Sequence, residues 1–392
     1  MKIIKNNIFI NIDNLISIAE NNLKSNNIYT LCSNDHLDHI ASYIAWKNVG
    51  GNIFVKSPFL PTRQIEELSK KIDKLNVSNS IIFHTSGTTG IPKLVIHKEK
   101  QINEAIKMST AGMKWESNTK FLNFMPAFTS GFWHIVLVDS VFHDATLIIS
   151  SKETMIDDFK KSNSTLIVPS LIDQLRSKKI SLDLSRFSNI AVGSSQVLFR
   201  HSEYIFNNNA NTFTHVYGST ETCSTTLSKE SYKLDDTNNF LDLKPLANNE
   251  FKLVNNELWI KGPSLCENIQ DFNFHDGWFQ TGDLWEQTDN MIKFIGRSND
   301  ICKINGYQCS LLLVESLSED KLNLGSCLAV PRHSHGIDWI ELFYTNKECK
   351  IDKVFFKEIL SEILPSYNIP RKYTYVEEIP RNGFNKKVRN VF

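Results

Sequence analysis

The chain has 392 residues, 41% of them apolar and 22% charged, with Lys+Arg and Asp+Glu equal at 43 each. At about 150 residues per domain, this length predicts two or three domains of an ordinary globular protein. The balanced charge excludes a general affinity for nucleic acid, so any anion site must be local.

The N-terminal stretch "MKIIKNNIFINIDNLISIAENN" is broken by Asn and Asp every few residues, and no signal peptide is expected in it. Between about residues 28 and 226, "NIYTLCS", "NIFVKS", "SIIFHT", "FLNFMPA", "ATLIIS", "STLIVPS" and "SNIAVGSS" read as strands. They alternate with the helical patterns "HIASYIAWKNVG", "QINEAIKMSTAGM", "SGFWHIVLVDSVFH" and "LIDQLRS". Such alternation predicts α/β layers around a largely parallel sheet. From about 248 to 297, "EFKLVNNELWIKG" and "MIKFIGR" predict an antiparallel β region, and beyond "GRSND" the pattern is mixed, with helices in "LLLVESLSEDKL" and "VFFKEILSEIL". The expected fold is therefore α/β, with a boundary at 297–300. A large domain (1–297) has mostly parallel sheets layered with helices plus a small β region, and a small α+β domain (298–392) follows it. The most apolar stretch, "FWHIVLVDSVFHDATLIIS", carries Asp139, His143 and Asp144 and falls short of a membrane span. The seven cysteines (Cys32, Cys223, Cys266, Cys302, Cys309, Cys327, Cys349) are odd in number and include no CxxC pair. That argues against a disulfide framework or a structural zinc site, and for reduced thiols in a cytoplasmic protein. His333 and His335 in "PRHSHG" lack companion ligands and read as a surface turn.

"FHTSGTTGIPK" (83–93) places a Ser/Thr/Gly loop directly after an apolar strand. Glycines permit φ > 0, so successive N–H groups can converge on one anion, and Lys93 adds a compact cation suited to phosphate. An ordinary strand-to-helix surface loop is the competing reading of the segment taken alone. A nucleotide-triphosphatase P-loop is excluded, because that motif needs Gly-Lys-Ser/Thr as neighbours and here Ile91-Pro92 separates Gly90 from Lys93.

Further segments follow in a set order: "VYGSTET" (216–222), "ELWIKGP" (257–263), "GWFQTGDLWE" (277–286), "GRSNDICKINGYQ" (296–308) and "IPRNGFNKKVRNVF" (379–392). Together with "TSGTTGIPK" they resemble the ordered core motifs of the adenylate-forming superfamily: acyl-CoA synthetases, carrier-protein ligases, peptide-synthetase adenylation domains and luciferases. The resemblance runs from residue 83 to the end. It implies a ligase in which a carboxylate attacks the α-phosphate of Mg-ATP to give acyl-AMP and pyrophosphate, after which a thiol displaces AMP.

Carried over residue by residue, the resemblance implies that Thr85, Ser86, Gly87, Thr88, Thr89, Gly90 and Lys93 cradle the β- and γ-phosphates. Tyr217 and Gly218 would lie against adenine, Thr220 would bind the α-phosphate, and Glu221 would hold Mg2+. Asp283 would accept from the ribose hydroxyls, and Arg297 would support the ribose and phosphate region. Lys386, with Arg389 three positions on, would be the catalytic lysine of a mobile cap, although Asn385 replaces the usual glycine and Lys387 is a rival. Lys303 and Gly306 would border the thiol tunnel, and the hinge position corresponds to Asn299. Phe128, Thr129, Phe132, Trp133, Val192 and His215 are the implied acyl-pocket lining, with Trp133 equally readable as helix core. Thr129 stands where amino-acid-activating relatives carry aspartate, so the expected substrate is an aryl, fatty or polyketide-type acid without an α-amino group. The implied thiol belongs to CoA or to the phosphopantetheine of an acyl carrier protein. The chain departs from the pattern in a shortened N-terminal region, with residues 28–62 expected to hold what remains, and in "GSSQ" (193–196). A degenerate member that binds nucleotide or carrier protein without turnover is the alternative.

Overall fold

A computed structural model of the chain describes residues 1–85, 92–242, 244–246, 248–267, 274–304, 307–334, 336–362, 364–381 and 387–389. Tyr29–Leu31, Asn52–Val55, Ser80–Thr85 and Lys93–Lys98 form a four-stranded sheet in that order, the first three parallel and the last antiparallel. An eight-stranded sheet runs Thr225–Ser231, Phe213–Gly218, Asn189–Val192, Ser164–Ile167, Lys120–Asn123, Thr146–Ile149, Lys2–Lys5, Ile8–Phe9. Its inner neighbours are parallel, and the pair at each end is antiparallel. Asn52–Val55, Ser164–Ile167 and Asn189–Val192 are buried at every position, as parallel strands covered on both faces must be.

The α/β pattern begins earlier than the sequence reading placed it. Lys2–Lys5 lies parallel to Thr146–Ile149 and turns back through Asn6 and Asn7, whose φ of 52° and 65° suit a tight hairpin. Lysine at both ends and only one buried position leave that edge strand almost no apolar signal. Helices Asp13–Ser25 and Thr62–Ile72 were likewise outside the expected elements.

The helix expected at "SGFWHIVLVDSVFH" resolves into a π-helical turn, Phe132–Leu137, running into an α-helix, Val138–Phe142. Such widened turns are rare and concentrate at functional sites. Helix His36–Val49 begins where the Asp35 carboxylate accepts from Leu37 N at 3.1 Å and stops at Gly50, φ 72°. Leu122, Ile148, Ile167, Ile190 and Phe213 of the large sheet pack with Ile172, Leu175 and Ile205 of helices Pro169–Ser177 and Phe199–Asn207. The antiparallel region forms a sheet ordered Phe240–Asp242, Met291–Arg297, Trp278–Thr288, Glu257–Lys261, Glu250–Val254, with Phe274–His275 paired to Trp278–Thr288. Among the described residues no helix is long and apolar enough to cross a membrane.

The chain groups into two compact units: Met1–Lys252 with Trp259–Gln280 and Gln287–Lys293, and Leu253–Leu258 with Thr281–Glu286 and Phe294–Phe392. The continuous part of the second unit begins at Phe294, and the unit also takes in the hairpin turn Leu253–Leu258 and the strand piece Thr281–Glu286. Within it, helix Leu311–Lys321 packs with strands Cys327–Ser334, Ile337–Tyr344 and Lys372–Tyr375 around Val314, Leu324, Ala329, Ile340 and Leu342.

Candidate active site

The first unit brings the strands flanking the expected phosphate loop and the "YGSTET" turn into defined geometry. Ser80–Thr85 is buried up to its last residue, and its partner Lys93–Lys98 returns antiparallel, with Thr85 facing Lys93 in register. The loop base is thus closed by two of the expected phosphate ligands. Ser86, Gly87, Thr88, Thr89 and Gly90 lie outside the described residues. His84 holds the strand end from behind, its Nε2 accepting from Ser57 N at 3.1 Å.

Tyr217 and Gly218 end strand Phe213–Gly218, where the register against Thr225–Ser231 shifts by a bulge. A Cβ on Gly218 would fall 2.2 Å from the Ser224 carbonyl oxygen, and one on Gly193 would fall 2.5 Å from that of Val216. Both contacts are with backbone, which cannot swing aside. Gly218→Ala is therefore expected to displace the turn, costing about 1–3 kcal/mol as an overpacked site does, together with most nucleotide binding. Paired thermal melts and ATP-binding titrations check this; an unchanged ATP affinity would show that the turn is not part of the site.

Beyond Gly218 the turn is tied by its own side chains. Ser219 N donates to Thr222 Oγ1 at 2.9 Å, and Thr222 N donates back to Ser219 Oγ at 3.3 Å. The half-buried Thr220 hydroxyl lies 2.7 Å from Ser130 Oγ. That contact joins the expected α-phosphate residue to the segment expected to meet the acid. Ser130 was not among the expected site residues, since only the fold brings it to Thr220. Glu221 is half-buried, and its carbonyl accepts from Cys266 N at 2.8 Å, which fixes the main chain of the expected magnesium ligand.

The expected acyl-pocket residues divide differently. Thr129 is half-buried and caps the π-helical turn: its hydroxyl donates to the Pro126 carbonyl at 2.8 Å and accepts from Phe132 N at 3.2 Å. Phe128 is buried and meets the exposed Phe59 edge to face at 5.7 Å. Phe132, Trp133 and Val192 are wholly buried. Trp133 is helix core, its indole N–H donating to His39 Nδ1 at 3.0 Å and Ala127 O at 3.1 Å, with Tyr43 and Phe83 edge-on. Val192 packs in the core of the large sheet. His215 is buried with Nδ1 bonded to the Phe240 carbonyl at 3.0 Å, and burial holds its pKa down at about 4, so it is a neutral imidazole at pH 7.

In the second unit, Arg297 Nε lies 2.9 Å from Asp283 Oδ1, bringing together the two expected ribose-side residues. The Asp283 side chain is 5% exposed, and Gly282, φ 74°, turns the strand just before it with its N–H on Glu257 Oε1 at 2.7 Å. Lys303 is exposed on the hairpin Ile301–Ile304/Tyr307–Ser310, while Gly306 lies outside the described residues. Lys386 also lies outside them. Its rival Lys387 is committed: its ammonium contacts Glu319 Oε1 at 2.7 Å, Glu315 Oε2 at 3.2 Å and the Cys327 carbonyl at 2.6 Å. Burial by itself would push the Lys387 ammonium down; Glu315 and Glu319 outweigh it and hold it above its ordinary value. Arg389 bonds Asp300 and Glu315, each at 2.7 Å. His333 pairs with Asp338 at 2.7 Å on an exposed hairpin.

The sequence model of the AMP-binding enzyme family matches residues 45–267. A 2-succinylbenzoate–CoA ligase of Bacillus licheniformis is 25% identical over 342 residues, spanning 79% of this chain and 68% of the ligase. Bacitracin synthase 3 of the same species is 24% identical over 355 residues, 80% of this chain and 6% of the synthase. The solved structure of o-succinylbenzoate CoA synthetase (MenE) from Bacillus subtilis, in complex with the acyl-adenylate intermediate OSB-AMP, matches with a TM-score of 0.83 at 17% identity. That match covers 99% of this chain and 94% of the synthetase, and it carries the fold. The matched stretch 45–267 is more than half of the chain and holds the paired strands Ser80–Thr85 and Lys93–Lys98 and the Thr220–Ser130 contact, so the chain belongs to the AMP-binding enzyme family.

Proposed function

We propose that the chain activates a carboxylic acid without an α-amino group as its acyl-adenylate and passes the acyl group to the thiol of coenzyme A. The observation that carries this reading is the 2.7 Å contact between Thr220 and Ser130, which couples the adenylate turn to the acid segment inside a family-matched region. Relatives named as CoA ligases support the acceptor. In the first step an oxygen of the acid attacks the α-phosphorus and pyrophosphate leaves; in the second the thiol sulfur attacks the acyl carbon and AMP leaves with its phosphate oxygens.

Thr85 and Lys93 would bind the outer phosphates, Thr220 would donate to the α-phosphate, and Tyr217 would cover adenine beside the glycine that lets the chain approach it. Asp283 would take the ribose hydroxyls, with Arg297 holding its carboxylate in place. Glu221 offers one half-buried carboxylate on a fixed main chain. That fits Mg2+, which binds through one or two carboxylates plus the substrate's own phosphates. The ion supplies charge neutralisation on the phosphates when bound. Lys386 would stabilise charge at the attacking carboxylate and α-phosphate, and Lys303 and Gly306 would flank the incoming pantetheine.

Thr129 bears on the acid. Its hydroxyl is taken up in capping the π-helical turn, and it brings no charge to pair with an ammonium. Leaving a buried ammonium without its counter-ion costs about 3–5 kcal/mol. Pyrophosphate exchange with proteinogenic amino acids is therefore expected to run roughly 10²-fold or more below that with aryl or fatty acids. Efficient exchange with an ordinary α-amino acid and none with the others would overturn this. Nucleotide binding without exchange on any acid, CoA or carrier protein being supplied, would favour a non-catalytic member.

A further inference from the structure

Three segments used by the adenylation reading also meet in a buried cluster that it does not use. His97 lies on the strand leaving the phosphate loop, His134 on the π-helical turn after Thr129, and Cys223 just beyond Glu221. Their exposures are 0%, 1% and 1%. His97 Nδ1 is 3.1 Å from His134 Nε2, and one ligand atom from each of the three residues falls within 4.8 Å of the others. The far nitrogen of His134, Nδ1, is buried with no hydrogen-bond partner among the described residues. Cys223 holds a φ of 66°, a left-handed conformation that costs a non-glycine residue energy.

We propose that His97, His134 and Cys223 form a binding site for a borderline-soft divalent transition-metal ion, with Zn2+ the ion that fits best. Two imidazoles and a thiolate are nitrogen and sulfur donors, which select Zn2+ over Mg2+ or Ca2+, and no carboxylate belongs to the cluster. With Zn–N bonds of about 2.0–2.1 Å, two tetrahedral ligand nitrogens stand about 3.3 Å apart, close to the spacing already present. With a Zn–S bond of about 2.3 Å, the sulfur would stand about 3.5 Å from each nitrogen, so the thiol need close by little more than about 1 Å. On binding, the Cys223 S–H bond is replaced by a metal–sulfur bond and its proton passes to solvent, while the ring that donates the His97 Nδ1–His134 Nε2 hydrogen bond shifts its proton to its far nitrogen, so that both facing nitrogens become ligands. The ion would then tie together the strand after the phosphate loop, the turn bearing Thr220 and Glu221, and the turn capped by Thr129. Because the ligands are buried, loading requires a local opening and is expected to be slow.

The test is a cobalt titration of the full, untagged, reduced chain after chelator treatment and desalting. The expected result is a thiolate-to-cobalt charge-transfer absorption that saturates at one equivalent, is bleached by Zn2+, is lost in Cys223→Ser and persists in Cys266→Ser. X-ray absorption of the zinc-loaded wild-type protein is expected to show one sulfur and two imidazole nitrogens around the ion. No stoichiometric absorption, an absorption that survives Cys223→Ser, or a zinc shell without sulfur would each overturn the proposal. The X-ray measurement decides the matter if Cys223→Ser does not fold. None of these readouts uses turnover, so failure of the ligase reading leaves them unaffected.

Discussion

Lys386→Ala is expected to slow ATP–pyrophosphate exchange by about 10²–10³-fold, the usual cost of removing one preorganised group aimed at developing charge. Transfer from pre-formed acyl-adenylate to the thiol is expected to be left largely intact, since the resemblance gives Lys386 a role at the attacking carboxylate and α-phosphate of the first step only. The assignment gains from the state of Lys387, whose ammonium is engaged by Glu315, Glu319 and the Cys327 carbonyl. An amine held by two carboxylates and a carbonyl is poorly placed to meet a substrate's charge. Lys387→Ala is accordingly expected to lower stability rather than abolish exchange. Exchange lost in a folded Lys387→Ala and kept in Lys386→Ala would move the catalytic role by one position.

The largest stability effect is expected at Glu315. Its side chain is 2% exposed and holds both Lys387 and Arg389, while the side chains of those two cations are each 19% exposed. Glu315→Ala leaves two largely buried cations short of a partner, and removing one member of a buried pair costs about 3–5 kcal/mol. Glu319, which holds Lys387 and accepts from Cys327 N, is 20% exposed and so more open to water, and Glu319→Ala should cost less, about 1 kcal/mol. Denaturant melts of the intact chain, followed by proteolysis of the C-terminal unit, check the ranking. Equal effects of the two substitutions would rule out Glu315 as the central anchor. The pH dependence has a defined sign. Lys387 is held above its ordinary value of 10.5, so the stability it brings is fully present below that pH. It is lost as the pH rises through the folded value, and the C-terminal unit should melt earlier only in strongly alkaline buffer.

Much of the fold was legible because its signals are local. Ile81-Ile82-Phe83 announces a buried strand and "HIASYIAWKNVG" a helix, although that helix starts three residues earlier, at His36. Lys2–Lys5 was not legible, since an edge strand needs little apolar surface and takes its place from Thr146–Ile149. Trp133 was ambiguous for a different reason: an apolar residue near a site has the same composition whether it lines a cavity or fills a core. Its burial and the bonds from its indole N–H to His39 and Ala127 are contacts that only the fold supplies.

By itself the sequence determined the alternation of strand and helix, the order of the adenylation motifs and the spacing of Lys386 and Arg389, because each is written in residues close along the chain. Tertiary structure alone decided that Thr220 meets Ser130 across ninety positions of sequence, that Lys387 is an anchor, and that His97, His134 and Cys223 share one buried point. These contacts join segments whose own patterns carry no mark of one another. They exist because packing sheets and helices around a common core fixes which distant side chains are left facing each other.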